Sequence, residues 1–139
     1  MRKIIYTRPD GGLSVVHPVI NTKESITKEQ ALARALEKLP KDALNPQVVD
    51  SVPSDRTFRN AWKAGSGCVD HDMGKCRELH RDRLRVARAP KLAALDIQQL
   101  RGIDVEAQKQ ELRDVTSDPR IESAKTPEEL KAVWPDCLK

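Results

Sequence analysis

Aromatic residues are scarce in this chain: its 139 residues include two Trp, one Tyr and one Phe. A core must therefore be built mostly from Leu, Val, Ile and Ala, and stacking of exposed aromatic rings on single-stranded nucleic acid is disfavoured. Three Cys residues, an odd number, argue against a disulfide framework and favour a reduced, cytoplasmic protein. Apolar runs reach only a few residues, against the roughly 20 that span a bilayer, so we expect a soluble protein.

Signatures of catalysis are also missing from the sequence. The six glycines never form the GxxxxGK[ST] pattern of a phosphate-binding loop or the GxGxxG pattern of a dinucleotide site. No Ser or Cys stands in the strained strand-to-helix turn that presents a nucleophile. These patterns predict a protein that is not an enzyme and needs no cofactor.

The positive charge is concentrated in one stretch. The chain has 25 Lys and Arg against 21 Asp and Glu, an excess too small to indicate a nucleic-acid partner by itself. Residues 75–91, however, hold seven Lys or Arg and two acidic residues. Four arginines fall at helical spacing on one side of this stretch and could track phosphates or meet an acidic protein surface: Arg77, Arg81, Arg85 and Arg88. The alternative is a solvated helix face with weak pairs such as Glu78–Arg81 and Asp82–Arg85.

The first 53 residues predict a small α+β unit. Two β-rich runs, Lys3–Thr7 and Leu13–Val19, flank a turn that contains Pro9, Gly11 and Gly12. A capping box formed by Thr27 and Gln30 opens a short amphipathic helix with Leu32, Leu36 and Leu39 on one stripe. Residues 47–52 are a third probable strand, which gives the order strand, strand, helix, strand.

Residues 54–139 predict a mostly helical region. A brief helix through Phe58 and Trp62 should end at Gly65, and a long basic helix should run from about residue 72 to residue 89. Pro90 then starts a further helix or kinks this one, with Leu92, Leu95, Leu100 and Ile103 on one buried face. Short helices should follow, opened by Asp118-Pro119 and by Thr126-Pro127.

Two of the three Cys and two of the three His lie together in the segment CVDHDMGKCRELH. Cys76 and His80 share one helix face, and Cys68 and His71 precede the helix, so a tetrahedral zinc site is geometrically possible. The order and gaps match none of the strong zinc signatures, however. The alternative is that Cys76 lies on the buried helix stripe with Met73, Leu79 and Leu84, and that His71 and His80 are ordinary surface residues.

Several segments together resemble small proteins of tailed bacteriophages: DRTFRNAWK at 55–63, KCRELHRDRLRVARAPKLAALD at 75–96, ELRDVTSDP at 111–119 and TPEELKAVWP at 126–135. The pair formed by Leu112-Arg113-Asp114 and Val133-Trp134-Pro135 is similar to the C-terminal segment of phage tail assembly chaperone proteins. The resemblance implies a non-enzymatic protein of the tail or its fibres, or a factor that assembles them in the host cytoplasm. It implies phage structural proteins as partners. The aliphatic face of residues 91–115 could either close the fold or pack on a partner or on a second copy of the chain, which leaves a homo-oligomer possible.

Trp134 near the end of the chain has two possible roles. It could fold back onto the helices as an anchor, which we favour, or present a binding hot spot. Two other function classes stay open: a basic phage regulator that binds nucleic acid through the arginine stripe, and a small zinc module.

Overall fold

A computed structural model describes residues 2–20, 23 and 25–139. The chain forms two compact units, residues 1–72 and 73–139. The expected α+β architecture is confirmed, with a three-stranded antiparallel sheet and a helix followed by a mostly helical region. No helix in the described part of the chain is long and apolar enough to cross a membrane.

The sheet of the first unit has the strand order β2-β1-β3, with β1 at Lys3–Thr7, β2 at Leu13–Val16 and β3 at Leu44–Val49. Both neighbours run antiparallel to β1. Strand β3 begins and ends three residues earlier than the sequence predicted, and therefore contains Pro46. Because β3 is an edge strand, the missing N–H of Pro46 is tolerated, and the register shifts between Ile5 and Thr7 opposite it.

The predicted capping box is confirmed at the start of α1, Lys28–Glu37. The backbone N–H of Gln30 donates to the Thr27 hydroxyl at 3.2 Å, and the backbone N–H of Thr27 donates to the Gln30 side chain at 2.9 Å. Ala31 is the buried residue of this helix, whereas Leu36 is exposed. The predicted leucine stripe is therefore only partly buried.

The prediction of a helix through Phe58 and Trp62 was wrong. A single 3-10 turn at Arg59–Ala61 leads directly into β4, Trp62–Ala64, which pairs with β5, Val69–His71, across the glycine-containing turn. Trp62 lies in a strand because its side chain packs in one buried cluster with Ile5, Leu13 and Val49. This hairpin belongs to the first unit, so the helical region begins later than the predicted boundary after Pro53.

The second unit is built on one long helix, α2, Met73–Leu100, which continues through Pro90. Shorter elements follow it: α3 at Glu106–Arg113, α4 at Pro119–Ser123 and α5 at Pro127–Lys131, with 3-10 turns at Asp114–Ser117 and Asp136–Leu138. Asp118 and Thr126 cap α4 and α5 through their side chains, and a proline occupies an early position of each helix, as predicted.

The buried side of the second unit comes from α2 and from one or two apolar residues of each short element. Cys76, His80 and Leu84 are buried on α2, with Leu112, Ile121 and Leu130 from α3, α4 and α5. The predicted burial of Cys76 and Leu84 is confirmed. The spacing placed Leu92, Leu95, Leu100 and Ile103 on one face, but Leu100 and Ile103 are exposed, while Leu92 and Leu95 are half-buried.

Candidate functional site

Most arginines of the stripe on α2 donate hydrogen bonds to backbone carbonyls of the second unit. The guanidinium of Arg77 donates from Nε to the carbonyl oxygen of Ile121 at 3.2 Å and from a terminal nitrogen to that of Ala124 at 3.0 Å. Both carbonyls lie at the C-terminal end of α4, where a helix leaves its last C=O groups without intrahelical partners. Arg77 therefore acts as a cap for α4 that is supplied by another helix.

Arg81 and Arg88 make the same kind of contact with other elements. Arg81 donates from Nε to the carbonyl of Thr116 at 3.2 Å in the 3-10 turn, and it pairs with the carboxylates of Glu78 and Glu122. Hydrogen bonding to Glu122 is the main reason that the pKa of Arg81 is raised, and that of the exposed Glu122 is lowered for the same reason. Arg88 donates to the carbonyls of Leu112 and Arg113, at 3.4 and 3.1 Å, at the end of α3.

His80 completes this set from α2. Its Nε2 lies 2.7 Å from the carbonyl oxygen of Val133, just beyond α5, so Nε2 carries the proton that is donated. The side chains of Arg77, His80, Arg81 and Arg88, which we call the capping row, thus satisfy carbonyls of four successive elements. Only Arg85 of the predicted stripe makes a purely local pair, with Asp82 one turn earlier at 2.5 Å.

The expectation that His80 is a surface residue was wrong, because the residue is only 2% exposed. Burial lowers the pKa of His80, the hydrogen bond to Val133 opposes this shift, and the nearby charge of Arg83 adds to the lowering. The imidazole is therefore neutral at pH 7, in the tautomer that donates from Nε2.

Trp134 is half-buried against other residues of the second unit, which is the position expected for an anchor. Its ring meets that of His80 edge to face, with 6.5 Å between the centroids, and its Nε1–H donates to the carbonyl of Leu138 at 3.3 Å. The indole thus closes the C-terminal turn over the buried histidine.

The four residues of the hypothetical zinc site have unlike surroundings. Cys68 is exposed in the β4–β5 turn, while Cys76 is fully buried on α2. His71 packs edge to face on Trp62, and His80 is engaged with Val133. Within residues 2–20, 23 and 25–139, no group of three or more His, Cys, Asp or Glu side chains is placed to hold a metal ion.

An apolar surface lies on α2 at the spacing of a helix-packing seam. Five exposed residues recur at intervals of four, three, four and three: Val86, Pro90, Ala93, Ile97 and Leu100. We call this set the outer face of α2. Val86 is 75% exposed and Leu100 is 88% exposed, and Ile103 extends the surface just beyond the helix. At 100° per residue these positions fall on one side of the helix.

The outer face lies opposite the side of α2 that the fold already uses. Arg88, Leu92 and Leu95 are half-buried at about 120° to 180° around the helix from the centre of the outer face, where α2 packs against α3. On that side the ammonium of Lys109, on α3, pairs with Asp96 and donates to the side-chain oxygen of Gln99 at 2.5 Å. A helix at the surface of a monomer normally has a polar outer side. Here the outer side of the second half of α2 is apolar instead, and exposed apolar patches mark sites of protein–protein interaction.

A second group of residues, which the structure brings together, was not predicted from the sequence. Arg56 and Arg59 lie over the ring of Trp62, in the segment that was predicted to be a helix and that instead leads through a 3-10 turn into β4. Their spacing to the tryptophan, six and three residues, is compatible with helix, turn or strand, so no pattern could have placed them on one ring. The capping row had a weak signal, because several short helices in succession leave many C-terminal carbonyls without partners.

Comparison with known proteins adds no family to this description. No protein-family model, no curated protein and no solved structure matches the chain.

Proposed function

We propose that the protein is a non-enzymatic component of a tailed bacteriophage that works by binding other phage proteins, as part of the tail or its fibres or as a factor in their assembly. The outer face of α2 carries this proposal, since it offers an apolar surface on a helix that is already packed on its other side. The resemblance of residues 111–119 and 126–135 to tail assembly chaperones supports the choice of partner.

The contacts of the arginine stripe favour protein binding over binding of nucleic acid. Three of its four guanidinium groups donate to carbonyls of their own unit, through Arg77, Arg81 and Arg88. Donors that are held in this way are not arranged to follow a phosphate backbone, which needs several outward-facing cations in a row. We therefore assign the stripe to the stability of the second unit and assign docking to the outer face.

The shape of the outer face indicates an amphipathic helix as the element that covers it. Its residues alternate at intervals of three and four, and the small side chain of Ala93 at its centre permits close approach of a second helix. In the proposed function the partner's helix belongs to a phage structural protein.

Quantitative mass spectrometry of purified virions and of complexes isolated from producing cells tests this function. We expect phage tail or fibre proteins to be enriched with the tagged chain from cells, whether or not the chain stays in the particle. If the chain is absent from virions and no phage protein is enriched with it from cells, the proposal is wrong. A homodimer as the only species found by light scattering would assign the outer face to a second copy instead.

A further inference from the structure

Two guanidinium groups converge on one buried aromatic ring in the first unit. The Cζ atom of Arg59 lies 4.5 Å from the ring centroid of Trp62, and that of Arg56 lies 5.8 Å from it. Trp62 is 2% exposed and packs in the core with Ile5, Leu13 and Val49. The ring is therefore a rigid platform that orders both guanidinium groups by cation–π attraction.

A cation–π contact engages the charge of a guanidinium but offers its N–H donors no carboxylate or carbonyl oxygen. In the part of the chain that the structure describes, neither Arg56 nor Arg59 has a carboxylate partner for its guanidinium. Arg8 provides the contrast: its side chain is held by Asp10, the Leu13 carbonyl and the Ser14 hydroxyl. The adjacent carboxylate of Asp55 accepts hydrogen bonds from Thr57.

The charges in this cluster repel one another. Burial lowers the pKa of Arg59, and the positive charges of Arg56 and then Arg8 lower it further. Two cations that share one ring without an acidic partner are costly to hold together, and a bound anion would offset that cost. A carboxylate or a phosphate suits the site, because a planar guanidinium matches two oxygens of either group.

We propose that Arg56 and Arg59, held over the ring of Trp62, form a binding site for carboxylate side chains in an acidic segment of a partner protein. The choice of a protein as the ligand rests on the proposed function; the anion chemistry does not. Two observations favour a protein over nucleic acid. The buried ring of Trp62 has no face left for a base to stack on, and residues 1–72 hold 11 Lys and Arg against nine Asp and Glu, which gives no extended basic surface.

Titration of the full chain with two probes of matched charge tests the site. The probes are a hexaglutamate peptide with capped ends and a single-stranded thymidine heptanucleotide, whose seven nucleosides are joined by six phosphates, added at 150 mM salt while the arginine Nε–H signals are followed by NMR. We expect the peptide to shift the signals of Arg56 and Arg59. We also expect Arg59→Gln to weaken peptide binding about tenfold, the loss that corresponds to one charge-assisted pair, while Arg101→Gln, which removes an equal but unstacked exposed charge, leaves it unchanged.

Three results would overturn the proposal: no shift at Arg56 and Arg59 with millimolar peptide, equal weakening by Arg101→Gln, or tighter binding of the oligonucleotide than of the peptide. The wild-type shifts do not depend on the stability of any variant, so the test survives a poorly folded Arg59→Gln. The outcome is also independent of whether the outer face of α2 binds phage proteins, since that face belongs to the other unit.

Discussion

At the scale of single residues, the main finding is that α2 supplies caps to elements distant in sequence. Arg77 reaches α4, Arg81 the 3-10 turn, and Arg88 the end of α3. Each short helix is below the length at which an isolated helix is stable in water, roughly 12 to 15 residues. The second unit therefore depends on these side chains for the polar groups that short helices leave without partners.

Removing one capping arginine should destabilise the second unit. We expect Arg81→Gln to lower the free energy of unfolding by about 1.5–3 kcal/mol, because the substitution removes charge-assisted hydrogen bonds to Thr116 and Glu122. Urea denaturation followed by circular dichroism measures the change. Arg85→Gln is the matched control, and its exposed pair with Asp82 should contribute only about 0.3–0.5 kcal/mol. Equal losses in both variants would contradict the capping role.

The buried imidazole of His80 predicts a dependence of stability on pH. Its pKa in the folded protein is lowered, chiefly by burial, from the value of about 6.5 expected in the unfolded chain. The unfolded chain thus takes up a proton at a higher pH than the folded protein does. The contribution of His80 to stability is fully present above about pH 6.5 and is lost as the pH falls through the folded pKa.

A variant that cannot titrate isolates this contribution. His80→Gln keeps an N–H donor for the Val133 carbonyl, so we expect its unfolding free energy to fall less between pH 7 and pH 5 than that of the wild type. Urea denaturation at several pH values provides the comparison. A pH dependence identical in the two proteins would show that His80 is not the titrating group.

At the scale of elements, Pro90 is the exception within α2. A proline inside a helix removes the hydrogen bond to the carbonyl four residues earlier and crowds that carbonyl, yet α2 continues through it because its packed side lies opposite the exposed ring. We expect Pro90→Ala to raise the unfolding free energy by about 1–3 kcal/mol. Thermal and urea denaturation test this expectation.

Pro127 offers a matched control, because it lies at the start of α5, where no intrahelical bond is lost. Pro127→Ala should change stability little or lower it slightly. Destabilisation by Pro90→Ala would mean that α2 does not carry the expected cost at Pro90. Stabilisation by Pro127→Ala would mean that a gain at Pro90 cannot be assigned to its position inside the helix.

Local sequence signals predicted the elements whose formation is decided locally. The capping box of Thr27 and Gln30 predicted the correct start of α1. A capping side chain followed by proline predicted the correct starts of α4 and α5, at Asp118 and Thr126. The hairpin at 62–71 was missed because Trp62 takes its place through contact with Ile5 and Val49, residues that are distant along the chain. The burial of His80 was missed for the same reason, since its partner Val133 is on another element.

At the scale of the whole molecule, the outer face of α2 is an apolar surface that the described residues leave exposed. The spacing of Leu92, Leu95, Leu100 and Ile103 predicted one continuous buried face, but the structure divides these residues between the packed and the exposed sides of the second unit. Periodicity alone could identify the apolar positions, but it could not tell which of them the chain itself covers.

A charged substitution on the outer face should abolish docking without unfolding the chain. Leu100→Glu places a charge at a position that is 88% exposed, so stability should change by less than about 0.5 kcal/mol. A bound apolar partner would instead have to bury the carboxylate, and binding should fall at least tenfold. Val19→Glu is the matched control, because Val19 is 78% exposed and lies in the first unit.

Affinity purification of the tagged chain from cells that produce the phage, with bound proteins quantified by mass spectrometry, tests the central claim most directly. Wild type and Val19→Glu are expected to recover tail or fibre proteins to the same extent, whereas Leu100→Glu, with an unchanged circular dichroism spectrum, is expected to recover at least tenfold less. Equal recovery with the folded Leu100→Glu variant would contradict docking through the outer face of α2.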